Sequence, residues 1–357
     1  MGLPDNGTNY VLVKTVLGME RLVASYVKEL DPEAKVEPSP LGFKGLVLVA
    51  TARNGHALAA EIGAKIPEAE KVLPVDAVVP AALDAMAEAV RALVKGKISG
   101  NETFAVRTVR RGTHNFTSID VNVVVGDVVR RVTGATVNLN APDKIVRVEI
   151  VGNRAFIAVR PGSEEYRKMR PGKVPLYKLF RRLSVVHMPY LGPTDAAYKM
   201  GERVGRELQT FEVGELVIAP IGLVKADELQ VFVKGVLDGI ESRYAVQVRS
   251  YGRAVHKVRV YIQDLYQLVR DRSNEVIIVF EPEGAPVSKV TEELYELIVK
   301  KGRRVNLLFG SREGIPVGIY RFADIVVDVA PGITIATDYA AASALIAIGT
   351  LLHDKLR

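Results

Sequence analysis

The alternation of apolar and polar positions divides the chain into two regions with different rhythms. Before residue 162, short strands alternate with single amphipathic helices, beginning with a strand over Asn9–Thr15 and a helix over Gly18–Leu30. From Leu183 onward, continuous apolar runs such as LSVVH, EVIIVF and VNLLFG alternate with helices. Such runs are typical of strands buried on both faces, so this second region predicts a parallel sheet covered by helices.

The first region predicts two small α+β units. Residues 1–75 follow a βαβ-βαβ order, which indicates a ferredoxin-like unit in which Asn54 caps the second helix. Residues 76–162 form the second unit, whose first helix we expect to open at Val79-Pro80 because proline suits the first helical turn.

The second helix of that unit, over Ser118–Val132, is a test of two competing signals. It is rich in valine, and propensity alone predicts a strand. The Thr117-Ser118-x-Asp120 sequence is a capping pattern, in which the two side chains satisfy free amides of a helix start. We therefore predict a helix.

Residues 163–182 are polar, strongly basic and contain proline, which fits a solvated linker or a surface that follows phosphates. Beyond them, residues 183–357 form the predicted parallel-sheet domain. Tyr244–Arg249 is interpreted as a strand, while Val255–Arg270 stays ambiguous. Helices are predicted over Thr194–Gln209, Asp227–Ile240, Ser288–Lys300 and Thr337–Leu352.

Composition narrows the chemistry. The 357 residues carry a formal net charge of +7, which is consistent with a polyanionic partner. The chain has no cysteine, which excludes disulfides, thiolate metal sites and cysteine catalysis, and its five histidines are scattered, so we expect no metal. The apolar stretch Ala340–Leu352 is too short to span a membrane, and no secretory signal is visible. We expect a cytoplasmic protein.

The stretch from Asn101 to Pro161 reads strand, helix, strand, strand and carries the arginine pairs Arg110/Arg111 and Arg130/Arg131. It resembles the C-terminal part of a THUMP domain, the RNA-binding module of several tRNA-modifying enzymes. The resemblance implies tRNA as partner, docked by its acceptor end. The residues that we expect to contact RNA there and in the basic segment are Arg107, Arg110, Arg111, His114, Lys144, Arg147, Lys173, Arg181 and Arg182.

Two loops near the end of the chain carry the candidate chemistry. Gly310 and Gly314 follow a buried strand, and the lack of a Cβ atom lets backbone amides approach a ligand. Pro331-Gly332 makes a second such turn before an alanine-rich helix that begins near Thr337. In open parallel sheets, ligands sit beyond the carboxyl ends of the strands, where both loops lie.

These loops resemble the C-terminal motifs of SPOUT-class RNA methyltransferases, and the segment around Arg206 resembles the first motif of that family. The resemblance implies S-adenosylmethionine as cofactor, a C-terminal trefoil knot and a homodimer formed through the C-terminal domain. The residues expected to bind the cofactor are Leu308, Gly310, Glu313, Gly314, Asp328, Val329, Gly332, Ile333 and Thr337.

Arg206 and Asp338 are the candidate catalytic residues. Arg206 takes the position that activates the nucleophile in ribose-methylating relatives, and a cation there can stabilise a developing alkoxide. Asp338 is equally a first-turn carboxylate that stabilises its helix. The chain departs from the family pattern in two motifs: Met200 replaces an asparagine in the first, and Thr334–Asp338 replaces the usual Ser-Leu-Asn in the last.

The sequence thus predicts a multidomain α/β and α+β protein that is an S-adenosylmethionine-dependent tRNA methyltransferase, with the ribose 2′-O as preferred acceptor. The alternative is a THUMP-containing RNA-binding protein or RNA chaperone that has lost its chemistry, which the altered last motif favours. Binding of the cofactor discriminates between the two.

Overall fold

The computed structural model describes residues 8–166, 168–169 and 172–356. The chain forms two compact units, Met1–Pro171 (unit 1) and Gly172–Arg357 (unit 2). The basic segment 163–182 is therefore divided between them. Its end forms a short helix, α5 (Tyr177–Phe180), which belongs to unit 2.

The first half of unit 1 is a four-stranded antiparallel sheet with two helices. Strand β1 lies between β3 and β4, and the order β2-β3-β1-β4 is that of the predicted ferredoxin-like arrangement. Asn54 caps the second helix as predicted, since its Oδ1 accepts the Ala57 amide at 3.0 Å. The elements are β1 (Asn9–Thr15), α1 (Glu20–Leu30), β2 (Lys35–Pro38), β3 (Leu46–Thr51), α2 (Gly55–Lys65) and β4 (Ala69–Pro74).

The second half of unit 1 is a five-stranded sheet with order β5-β9-β8-β6-β7. Pro80 does not open a helix, contrary to the prediction: it ends an edge strand, where the missing N–H costs no ladder hydrogen bond, and the helix begins at Leu83. The elements are β5 (Ala77–Pro80), α3 (Leu83–Leu93), β6 (Thr103–Arg111), α4 (Ser118–Thr133), β7 (Thr136–Val137), β8 (Lys144–Val151) and β9 (Arg154–Pro161).

Helix α4 confirms the capping signal over the valine content. The Thr117 hydroxyl accepts the Asp120 amide at 3.2 Å, and the Asp120 carboxylate accepts the Thr117 amide at 2.7 Å. The helix buries Val121, Val125, Val128 and Val129, which recur at helical spacing on one face. Burial of this face outweighs the weak β preference of the same residues.

The two sheets of unit 1 share an apolar cluster. Its buried members come from both sheets, so the two halves fold against each other as one body. They are Leu12, Leu46, Leu48, Leu73, Val151, Phe156 and Ala158.

Unit 2 contains the predicted parallel sheet, with six strands in the order β12-β11-β10-β14-β13-β15. Its core holds Leu179 and Phe180 of α5 together with the buried strands. The strands are β10 (Leu183–His187), β11 (Glu215–Ile218), β12 (Arg259–Ile262), β13 (Val276–Pro286), β14 (Val305–Phe309) and β15 (Ile325–Asp328).

The helices of unit 2 alternate with these strands, and the last one has the predicted bounds. Within the described part of the chain, no helix is both long and apolar enough to cross a bilayer. The helices are α6 (Thr194–Phe211), α7 (Ala226–Ser250), α8 (Leu265–Asp271), α9 (Thr291–Tyr295, continued as a π-helix over Glu296–Lys300), α10 (Val317–Tyr320) and α11 (Thr337–Leu352).

Helix α7 corrects the prediction of a strand over Tyr244–Arg249, because the helix continues through that segment to Ser250. Its extra turns are held against α6 by a buried pair, in which Gln209 Nε2 donates to Gln247 Oε1 at 2.9 Å. Buried polar groups need hydrogen-bond partners, and here each glutamine is the partner of the other. The pattern of residues 244–249 alone does not reveal this partner on α6.

Four glycines let α6 and α7 approach backbone to backbone. A Cβ atom added at Gly201, Gly205, Gly235 or Gly239 would lie 2.1–2.3 Å from a carbonyl oxygen of the opposite helix. No side chain fits at such a distance. The two GxxxG pairs therefore fix the contact between these helices.

Candidate active site

A cavity of about 260 Å³ lies in unit 2 where β14 and β15 end, beside residues 280–283 of β13. Both predicted loops contribute to its wall, so the structure brings together residues more than twenty positions apart. Seven predicted cofactor-binding residues line it: Gly310, Glu313, Gly314, Asp328, Val329, Ile333 and Thr337.

Two predicted cofactor-binding residues do not line the cavity. Leu308 is fully buried in the apolar core within β14. Gly332 has a φ of +81°, a left-handed conformation that favours glycine, and it turns the loop before Ile333. Leu308 therefore belongs to the strand that precedes the first loop, and Gly332 belongs to an exposed turn of the second.

The glycines of the first loop make room for a carboxylate of the protein itself. A Cβ at Gly310 would lie 2.5 Å from Glu281 Oε1, and Gly314 has a φ of +72°. Glu281 Oε1 also accepts the Ile315 amide at 2.6 Å, which ties the loop to β13. Sequence reasoning missed Glu281, although the Glu-Pro-Glu run after a buried strand is a signal that could have found it.

Carboxylates dominate the charge of the cavity. Burial raises the pKa of Glu281, with Glu283 nearby adding to the shift. Glu283 accepts the Tyr320 hydroxyl at 3.3 Å, and Asp328 Oδ1 accepts the Ala330 amide at 2.8 Å in the turn that follows β15. With Glu313, these groups give the cavity an excess of negative charge, which favours a cationic ligand.

Stacked rings connect the cavity wall to the middle of the sheet. Phe280 lines the cavity and stacks on Phe309, whose ring in turn stacks on His187. His187 is completely buried, and burial lowers its pKa. Its Nε2 lies 3.3 Å from Thr337 O, so the ring connects β10 to the start of α11.

The two predicted catalytic residues lie in different surroundings. Arg206 is exposed on α6 and donates to Ser242 Oγ of α7 at 2.7 Å. Arg206 is not among the residues that line the cavity. Asp338 is buried one residue after Thr337 and pairs with Arg203 at 2.9 Å. Arg203, one turn before the predicted arginine, is thus the α6 cation that reaches the final helix.

A second acid, Glu207 of α6, lies close to this ion pair. Glu207 is half-buried, and burial together with the Asp338 carboxylate raises its pKa to about 7, against the opposing influence of Arg203. A carboxyl group with a pKa near neutrality therefore lies close to the Asp338–Arg203 pair.

The cavity residues fit a small cationic cofactor. Ser311 lines the cavity, and its buried Oγ has no hydrogen-bond partner among the described residues. Buried hydroxyls normally have a partner, so this group is available to a ligand. Within the described ranges, no group of three or more acids and histidines is arranged to hold a metal ion.

The predicted RNA contacts of β6 and β8 surround a buried carboxylate in unit 1. Glu149 is fully buried and pairs with Lys14 at 2.5 Å, Arg111 at 3.0 Å and Arg147 at 3.9 Å. Arg147 is itself 7% exposed. These cations therefore neutralise an internal charge.

The remaining predicted RNA contacts also have internal partners in several cases. In unit 1, Arg107 pairs with Glu165, Lys144 pairs with Glu102, and His114 Nε2 lies 2.7 Å from Gly152 O with Arg110 against its Nδ1. In unit 2, Arg181 pairs with the buried Glu212 and stacks on Tyr177, while Lys173 and Arg182 are exposed.

A second cavity, of about 500 Å³, lies in unit 1 between α2 and β4 on one side and β8 and β9 on the other. Arg147 lines it, together with Lys71, Arg160 and Tyr166, which sequence reasoning missed. Burial lowers the pKa of Lys71 to about 8, with Arg147 the next contribution. The resemblance to a THUMP domain covers Asn101–Pro161 and does not include β4, so the sequence did not indicate Lys71 as a residue of this cavity.

The chain matches two families in sequence. Residues 177–357 match the family described as AF2226-like SPOUT RNA Methylase fused to THUMP, and residues 80–160 match the THUMP domain. The methylase family covers most of unit 2 and the THUMP domain covers part of unit 1, so the class of the protein is an RNA methylase. The chain belongs to the family of AF2226-like SPOUT RNA methylases fused to THUMP.

The chain also shares sequence with individual proteins. The chain is 41% identical over 340 residues to "Uncharacterized protein MJ0421" of Methanocaldococcus jannaschii, covering 94% of this chain and 92% of that protein. It is 40% identical over 68 residues to the tRNA (guanine(6)-N2)-methyltransferase of the same organism, which covers 17% of this chain and 18% of that protein. It is 37% identical over 99 residues to the tRNA sulfurtransferase of Thermoplasma volcanium, which covers 27% of this chain and 19% of that protein.

Proposed function

We propose that the chain is an S-adenosylmethionine-dependent tRNA methyltransferase. The observation that carries the proposal is the cavity of unit 2, which lies inside the segment that matches the methylase family. The cofactor supplies an activated methyl group bound to a positively charged sulfur. Four carboxylates suit that charge, and the Ser311 hydroxyl, which has no partner among the described residues, suits the polar groups of such a molecule.

Support for tRNA as the substrate comes from the relatives. Two of them modify tRNA by different reactions, a methylation and a sulfur transfer, yet each shares a segment with this chain. Because the two reactions differ, we infer that the shared sequence serves tRNA binding rather than catalysis. We assign this role to residues 76–162, acting on the acceptor end, with 1–75 as a supporting ferredoxin-like domain, 163–182 as the basic linker and 183–357 as the methyltransferase domain.

The acceptor atom that we prefer is the ribose 2′-O. Methyl transfer needs alignment of the acceptor with the methyl group and loss of the acceptor proton. Arg206 is the candidate for stabilising the resulting alkoxide, and Asp338 the candidate for holding the local geometry through Arg203. Because Arg206 points to Ser242 within its own unit, its role requires a substrate that reaches the α6–α7 surface.

We further propose a homodimer formed through α11. Most of this helix is apolar, and one side of it leaves Tyr339 56% and Ile346 58% exposed. An exposed apolar helix face marks an interaction surface. A symmetric partner would cover the same face on both subunits.

Incubation of unmodified tRNA transcripts with the protein and labelled S-adenosylmethionine, followed by nucleoside mass spectrometry, tests the proposal. We expect one methylated nucleoside, with the label on a ribose. Loss of activity in both Arg206→Ala and Asp338→Asn, with unchanged tRNA binding, supports their roles. Unchanged turnover in either variant removes that residue from the reaction.

Cofactor binding in the absence of RNA separates the proposal from its alternative. A protein that binds tRNA but gives no heat on titration with S-adenosylmethionine is an RNA-binding protein or chaperone.

The affinity for RNA is expected to fall steeply as the salt concentration rises. Each phosphate contact that is lost should reduce the slope of log affinity against log salt by about 0.9 for duplex or 0.7 for single strands.

A further inference from the structure

The cavity of unit 2 has one basic residue among its described lining residues, Arg312. The other charged groups on the wall are Glu281, Glu283, Glu313 and Asp328. Three of these acids already accept hydrogen bonds from the protein, as described above. The cavity is therefore bipolar, with several negative groups and a single positive one.

Arg312 is held in place by the loop between β10 and α6. Its guanidinium carbon lies 5.8 Å from the centre of the Tyr190 ring. A Cβ added at Gly192 would lie 3.8 Å from Arg312 Nη1 and 3.3 Å from Tyr190 Cε1, so this glycine leaves room for both side chains. Stacking on a ring leaves the donors at the edge of a guanidinium free to bind.

No described residue neutralises the charge of Arg312. Its guanidinium makes no ion pair with any carboxylate of residues 8–166, 168–169 or 172–356, although Glu313 is its neighbour in sequence. An arginine fork matches a carboxylate with two parallel hydrogen bonds. The one positive group of the wall is thus available to a negative group of the ligand.

We propose that Arg312 binds the carboxylate of the amino-acid end of the cofactor and so determines that the cavity accepts an adenosyl amino acid. This inference rests on the proposed function, because it assumes an adenosyl ligand. The acids of the wall then serve the ammonium and sulfonium groups. Arg312 is a binding residue and takes no part in the transfer.

Two truncated ligands test the proposal without any need for turnover. S-Adenosylhomocysteine carries the amino-acid end, whereas 5′-methylthioadenosine lacks it. Calorimetric titration of the full-length protein should give tighter binding of the first. In Arg312→Met, affinity for S-adenosylhomocysteine should fall roughly ten- to hundredfold and affinity for 5′-methylthioadenosine should stay the same.

Two control variants sharpen the result. Arg312→Lys keeps the charge but loses the fork, so it should lose part of the discrimination. Arg321→Met removes an exposed arginine that lies outside this cavity and should behave as the wild type. A thermal unfolding curve for each variant confirms that the loop change leaves the fold intact.

The outcomes distinguish this inference from the proposed function. If the wild-type protein binds both ligands and Arg312→Met weakens both equally or neither, the inference is overturned and the proposed function stands. If Arg312→Met lowers tRNA affinity and leaves both ligands unchanged, Arg312 contacts RNA phosphate and the inference is again overturned. If the wild type binds neither ligand, the proposed function is overturned and the inference with it.

Discussion

The two units use charge in opposite ways. In unit 1, the arginines that the sequence marks as RNA contacts surround Glu149, a carboxylate that is fully buried. In unit 2, the cavity collects carboxylates beside Arg312, whose charge no described residue neutralises. Paired charge in a closed interior maintains a fold, whereas unpaired charge on a cavity wall is available to a ligand. A basic residue type alone does not tell the two cases apart.

The strongest way to break this comparison is to remove the buried acid of unit 1. Glu149→Gln removes the carboxylate that pairs with Lys14 and Arg111 and leaves Arg147 with Glu165. Loss of one partner of a buried pair costs about 3–5 kcal/mol in the free energy of unfolding. Hydrogen exchange of amides in β1 and β8 should show a matching loss of protection.

The matched control for that variant is Asp127→Asn. Asp127 pairs with Arg130 and Arg131 on the exposed surface of α4. Exposed pairs of this kind contribute about 0–1 kcal/mol, so protection in β1 and β8 should not change. An equal loss in both variants would show that Glu149 has no special structural role.

The next largest effect should come from filling the loop of unit 2. Gly310→Ala brings a Cβ to 2.5 Å from Glu281 Oε1 and 2.6 Å from Gly314 Cα. Relief of that clash displaces the first loop, so we expect a destabilisation of about 1–3 kcal/mol. Cofactor affinity, measured by calorimetry, should fall by at least about tenfold.

Gly318→Ala is the control for the loop. A Cβ there meets Arg321 Nη2 at 3.9 Å, which is ordinary contact, and Gly318 does not line the cavity of unit 2. It should bind the cofactor as the wild type does. Normal binding by Gly310→Ala as well would mean that the first loop does not hold the ligand.

The smallest expected effect concerns Glu207, whose folded-state pKa is raised to about 7. A carboxyl with a raised pKa keeps its extra proton in the folded state, so its contribution to stability is full below about pH 4.5 and is lost as pH rises towards 7. Since the group is only half-buried, solvent screening reduces the expected contribution to about 1 kcal/mol.

Thermal unfolding between pH 5 and pH 8 measures this contribution. Glu207→Gln should be less sensitive to pH than the wild type and relatively more stable at pH 8. Identical pH profiles for the two proteins would argue that Glu207 titrates normally and that Asp338 is too well paired with Arg203 to affect it.

The sequence predicts the fold well where a local signal and the packing agree. The capping box of α4 and the bounds of α11 are confirmed, as are the parallel sheet and the two sheets of unit 1. The prediction of a strand at the end of α7 was wrong because the valines there have β propensity. The residue that holds this segment against α6 as a helix, Gln209, lies 38 residues from Gln247 in the chain. The prediction that Pro80 opens a helix was wrong because proline suits the end of an edge strand as well as the start of a helix.

The candidate site was predictable only where it depends on residues that are close together in the sequence. The glycine loops are visible in sequence, and most residues named there line the cavity. Glu281 and Arg312 were missed because their relation to the loops arises from neighbouring strands and from Tyr190, which is more than a hundred residues from Arg312 in the chain. The roles assigned to Arg206 and Asp338 stay predictions, as does the knot.

The glycine contact between α6 and α7 has a consequence for motion. Helices that meet backbone to backbone cannot slide past each other without collision, so the pair should move as a single rigid body. Since α6 begins just after the Tyr190 loop and carries Arg203, that side of the cavity is anchored. Adjustment to a ligand should therefore come from the opposite rim, the segments that follow β14 and β15.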